Sequence, residues 1–127
     1  MPKVNKKILI VEDETALLNI LKEKFKREGF FVYGAENGEI GLKTALKEKP
    51  SIILLDIIMP SMDGLTMLKK LREDKWGFTV PVVMLSNLGD PDQIEPLQGG
   101  GEIIYLVKSN WDLEDVVKKV RETISKK

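Results

Sequence analysis

Residues 51–64 read SIILLDIIMPSMDG. Four apolar residues lead into a single carboxylate, Asp56, and three more apolar residues follow it. A lone carboxylate inside an apolar core is costly unless it is paired or coordinated. The stretch is therefore best read as a short buried strand that ends at Asp56, which places the carboxylate at an edge of the fold.

Three other runs share that character, at 8–11, 80–85 and 103–107. Each is short and rich in β-branched residues. None alternates with polar residues, so all four read as strands covered on both faces of a parallel sheet. A fifth run, FFVYGA at 30–35, is more polar at its end and suits an edge strand.

Helical patterns fill the intervals. Residues 15–28 set Leu17, Leu18, Leu21 and Phe25 on one side, and residues 37–48 turn Ile40 and Ala45 inward. Residues 64–74 carry Leu65, Leu68 and Leu71. The clearest stripe lies at 111–124, where Leu113, Val116, Val117, Val120 and Ile124 follow helical spacing. The segment 90–98 starts well for a helix, but Pro96 falls where it breaks a regular one. Five alternations of strand and helix predict one doubly wound α/β domain over residues 1–127.

Composition removes several function classes. Twenty Lys and Arg balance twenty Asp and Glu. The basic residues are interleaved with acids, as in KEKFKRE at 22–28, which is a solvated helix face and not a nucleic-acid footprint. With no cysteine there is no disulfide, thiolate metal site or thiol nucleophile. With no histidine, the commonest general base and metal ligand is missing. The first apolar run is too short for a signal peptide or a membrane span, so a cytoplasmic protein with no membrane partner is expected.

What ends each run carries the chemistry. The first run ends in Glu12 and Asp13, another in Asp56, the next in Ser86 and the last in Lys108. In a parallel sheet all of these are carboxyl ends, and sites of open α/β sheets form at that edge. Taken singly, the acidic pair reads as a helix cap, Ser86 as a loop cap and Lys108 as a surface lysine. Together they read as a site. Three close carboxylates repel one another, and oxygen-only ligands resolve the repulsion best with Mg²⁺. A lysine and a hydroxyl add a clamp for phosphoryl oxygens. Asp56 is then free to attack phosphorus and form an aspartyl phosphate.

At this point ILIVEDE (8–14), LLDIIMPSMDG (54–64), VVMLSN (82–87) and YLVK (105–108) resemble the receiver domain of bacterial two-component response regulators, over nearly the whole chain. The resemblance implies a flavodoxin-like five-stranded sheet of order 2-1-3-4-5 with five helices, the fourth short or irregular here. It implies Asp56 as phosphoacceptor, and Mg²⁺ held by Glu12, Asp13, Asp56 and the backbone carbonyl of Ile58. Ser86 and Tyr105 are implied as the switch pair, with Lys108 completing the site. One departure stands out: the family usually has proline after the lysine, and Ser109 stands there, so a trans bond is expected.

The function so implied is a phosphorylation-dependent signalling switch, not an enzyme acting on a separate substrate. Its partners are a sensor histidine kinase or histidine phosphotransfer protein, and a downstream effector. As a stand-alone receiver or a domain cut from a longer regulator, it is expected to be a monomer or weak homodimer. Two other readings compete: a receiver-like interaction module that works without phosphorylation, and a small Mg²⁺-dependent phosphatase. The second lacks an acid at Ile58, two residues after the nucleophile.

Overall fold

A computed structural model describes residues 6–56, 64–86, 103–107 and 112–125. Its elements are β1 (Lys7–Val11), α1 (Thr15–Arg27), β2 (Phe31–Ala35), α2 (Gly38–Glu48), β3 (Ile52–Asp56), α3 (Gly64–Arg72), β4 (Val82–Ser86), β5 (Ile103–Val107) and α4 (Leu113–Ser125). The five strands form one sheet of order β2-β1-β3-β4-β5, and every pairing is parallel. The expected flavodoxin-like order is therefore present. The irregular segment 90–101 lies outside the described residues.

Parity along the strands divides the interior into two cores. Leu9, Val11, Ile53, Leu55, Val82 and Met84 face α2 and α3, meeting Ala45, Met67, Leu68 and Leu71. Ile8, Ile10, Ile52, Leu54, Val83 and Leu85 face the other layer, where Leu18, Leu21 and Phe25 of α1 and Val116, Val117 and Val120 of α4 await them. Successive side chains on a strand point to opposite faces, so a strand covered on both sides must be apolar throughout. The uninterrupted runs in the sequence have that cause. β2 has neighbours on one side only, and its exposed Phe31 and half-buried Val32 and Tyr33 explain its more polar pattern.

One expectation is corrected. Ile40 does not face inward; it is 48% exposed. The inward face of α2 is built from Gly38, Gly41 and Ala45. Gly41 needs its bare Cα, because a Cβ there would meet Val11 at 2.8 Å and the Met67 sulfur at 3.1 Å. The helix is thereby drawn close to β1, just before the residues that carry the site. β4 also begins later than the apolar run suggested, since Val80 and Pro81 precede it; proline has no N–H to give to a central ladder.

Two helices are fastened at their ends by ion pairs. Lys24 of α1 pairs with Glu114 of α4 and, at 3.5 Å, with Glu28. Arg121 of α4 meets the Glu28 carboxylate at 2.7 Å and donates to its backbone carbonyl at 3.2 Å.

Candidate functional site

Of the polar residues that end the apolar runs, Glu12, Asp56 and Ser86 are described, and these share one edge. Val11 lies opposite Leu55, so Glu12, which follows β1, and Asp56, which ends β3, leave the sheet side by side. Asp56 closes β3 opposite Leu85, and Ser86 closes β4 one residue later. Asp56 is 5% exposed and Glu12 1%, whereas Asp13 is exposed. Carboxylate oxygens of Glu12, Asp13 and Asp56 all lie within 4.8 Å of one another.

Glu12 is fixed from two directions. Its amide donates to the Ala35 carbonyl at 3.0 Å, which extends the β1–β2 ladder by one residue. Its carboxylate accepts the Glu14 amide at 3.1 Å. Glu14 is the N-cap of α1 and makes no side-chain cap bond of its own. Glu12 therefore does part of the capping that a bland reading of the acidic pair proposed, while staying in the acidic cluster. The positive end of the α1 dipole lies at this same turn and favours negative charge there.

Three clustered carboxylates, two of them buried, fit a hard divalent cation. The donors are all oxygen, and their mutual repulsion is relieved by positive charge. A magnesium ion would be held here by Glu12, Asp13 and Asp56.

The other expected site residues are placed by the backbone or not at all. Tyr105 lies in β5 in register with Met84, and Ser86 is in register with Val107. Val107 ends β5 at that edge, opposite Ser86. Lys108 itself, Ser109 and Ile58 lie outside the described residues.

A family model described as the response regulator receiver domain matches residues 8–121. Alkaline phosphatase synthesis transcriptional regulatory protein PhoP of Bacillus subtilis is 42% identical over 83 residues, which is 65% of this chain and 34% of that protein. Sporulation initiation phosphotransferase F of the same organism is 31% identical over 120 residues, 94% of both proteins. Among solved structures, the receiver domain of a sensor histidine kinase from Pseudomonas aeruginosa superposes with a TM-score of 0.82 at 23% identity, covering 96% of this chain and 99% of that one. That structure holds a magnesium ion in its active site cleft. The chain spans about half the length, or less, of the transcriptional regulators it matches.

Proposed function

The chain belongs to the response regulator receiver domain family, and from that premise we propose that it is a single receiver domain over residues 1–127 whose phosphoacceptor is Asp56. The observation that carries the reading is the convergence of Glu12, Asp13 and Asp56 within 4.8 Å at the carboxyl edge of the sheet.

The transfer is a displacement at phosphorus. An Asp56 carboxylate oxygen forms a bond to phosphorus as the bond between phosphorus and the donor's imidazole nitrogen breaks. The bonding electrons stay on the imidazole, which needs no general acid from this chain. That suits a site without histidine. Water later attacks the same phosphorus, releasing inorganic phosphate and restoring the carboxylate.

Burial of Asp56 limits the water that competes with the donor. Glu12 and Asp13, with Asp56 and the Ile58 carbonyl, would hold Mg²⁺, which when bound offsets the repulsion between these carboxylates and the incoming phosphoryl oxygens. Lys108 places an ammonium against one phosphoryl oxygen, and the Ser86 hydroxyl donates to another. As Ser86 moves toward the phosphoryl group, Tyr105 follows, and the population shifts toward the signalling form. The magnesium in the related kinase receiver supports the metal assignment.

The donor is a sensor histidine kinase or a histidine phosphotransfer protein, and the reader is an effector protein or domain. The site acts on its own aspartyl phosphate and turns over no separate substrate. A cytoplasmic placement is proposed from the family membership; no described helix is long and apolar enough to cross a membrane.

The test is intact-mass measurement after incubation with Mg²⁺ and a small phosphodonor such as acetyl phosphate. One added phosphoryl group is expected, absent from Asp56→Asn and absent after chelation of the metal. A chain that gains no mass, or an Asp56→Asn variant that gains it equally, overturns the assignment.

A further inference from the structure

At the opposite edge of the sheet, where the strands begin, a second recess opens. It has a volume of about 270 Å³ and lies among the segments that enter β1, β3 and β4, with the end of α4 beside it. β1 alone separates it from the acidic cluster: Lys6 precedes that strand and Glu12 follows it. Six strand steps span on the order of 20 Å, so the two sites share no side chain.

The walls are mainly polar, with a smaller apolar share. Lys6 and Lys49 both line the recess, and among the described residues no carboxylate does. Neither lysine forms an ion pair among the described residues, although Lys7, Lys24, Lys119 and Arg121 all do. Trp76, which is partly buried against the core, lines the recess together with Pro50 and Pro81. Ser51 adds a hydroxyl donor.

Lys49 is held there at a conformational cost. Its φ of 48° makes it the one described non-glycine residue in the left-handed region. It is the C-cap of α2, its amide donating to Ala45, and glycine is the residue that such a cap ordinarily takes. Glycine would close the helix without strain but would leave the recess without its ammonium.

We infer that this recess is a ligand site for a small aromatic carboxylate, its ring against Trp76 and the prolines and its carboxylate between Lys6 and Lys49. The volume falls just below the ~300 Å³ at which drug-sized sites begin, so a one- or two-ring acid fits and a nucleotide does not. A ligand of about a dozen heavy atoms in such a site binds with a Kd on the order of 1 mM. The assignment is independent of the phosphorylation chemistry at Asp56.

Trp76 supplies the readout. In a Trp111→Phe background it is the sole tryptophan, and indole-3-carboxylate or benzoate is titrated against its emission and against backbone amide shifts. Saturable binding is expected, with amide shifts confined to the loops around Lys49 and Trp76. Lys6→Ala and Lys49→Gly should each weaken binding roughly fivefold, and together roughly twentyfold, as loss of solvent-screened charge pairs predicts. Lys49→Gly relieves the cap, so its loss of binding is not a loss of fold. Several outcomes overturn the site: no saturation by either acid, shifts located elsewhere, or affinity unchanged in the double variant. Equal binding of neutral indole removes the role of the lysines, and equal binding of inorganic phosphate removes that of the ring; either result also overturns it.

Discussion

The Glu12 carboxylate accepts the backbone amide of Glu14 at 3.1 Å, so a member of the acidic cluster also starts the first helix. The two duties are separable by chemistry. Glu12→Gln keeps a carbonyl oxygen for the Glu14 amide and loses the charge; Glu12→Ala loses both. Glu12→Ala should be about 1 kcal/mol less stable than Glu12→Gln, the difference being the lost cap. Both should weaken Mg²⁺ binding alike. Denaturant melts with and without the metal check the pair.

Asp13 is the exposed member of the cluster, and its charge lies against two others. Without metal, Asp13→Asn should raise the melting temperature by roughly 1–3 °C by removing repulsion. Mg²⁺ should stabilise the parent by mass action but leave the variant nearly unmoved. A variant that melts lower in chelator, or that keeps the full metal response, contradicts this account.

The turn between α3 and β4 is pinned by Arg72, which is 8% exposed. Its Nη1 donates to the carbonyls of Gly77 at 2.7 Å and Val80 at 2.6 Å. Burial pulls its pKa down to about 10, which leaves it charged at neutral pH. Gly77 cannot carry a side chain here, because a Cβ would fall 2.2 Å from the Leu71 carbonyl oxygen. Gly77→Ala should therefore destabilise by roughly 2–4 kcal/mol, a fall in Tm on the order of 10 °C. Calorimetry decides it.

Lys49→Gly should move stability the other way. It removes the left-handed strain of a φ of 48°, partly offset by the greater freedom of glycine in the unfolded chain. A net gain of about 0.5 kcal/mol is expected, while Lys49→Ala, which keeps the strain, should give none. A chemical melt of the two variants side by side is the check.

The clasp between α1 and α4 sets an acid limb. The hydrogen bond from Arg121, then the Lys24 ammonium, hold the Glu28 carboxyl below its ordinary 4.5. A depressed carboxylate contributes stability above its unfolded value, and loses it as pH falls below 4.5 through the folded value. Glu28→Gln should thus melt roughly 1–2 °C below the parent at pH 7, with the gap closing as pH falls below 4.5. High salt should narrow the gap at pH 7. At the alkaline side, Lys24 is raised, chiefly by its bond to Glu114. Its share is present below 10.5 and fades as pH rises through the raised value.

Much of this was legible before any coordinates. Apolar runs without alternation marked buried strands because both faces of this sheet are covered. Polar residues at the run ends marked the site because parallel strands put all their carboxyl ends at one edge. What escaped the sequence depends on three-dimensional neighbours. Ile40 fits an inward stripe by spacing, yet Gly41 makes the close approach and turns Ile40 out. The second duty of Glu12 lies in a contact to a main-chain amide that no spacing rule specifies. The strain at Lys49 shows only in a dihedral angle. The recess at the amino edge is assembled from loops far apart in the chain, so no motif announces it.

The parity of the strands has one more consequence. A side chain on β1 touches either the α2–α3 layer or the α1–α4 layer, never both. The sheet is a partition, and stability changes made on its two sides should sum independently, because the altered side chains share no contact. Each face of the molecule is thus free to diverge on its own, provided the backbone between them, and the acidic edge it presents, stays where it is.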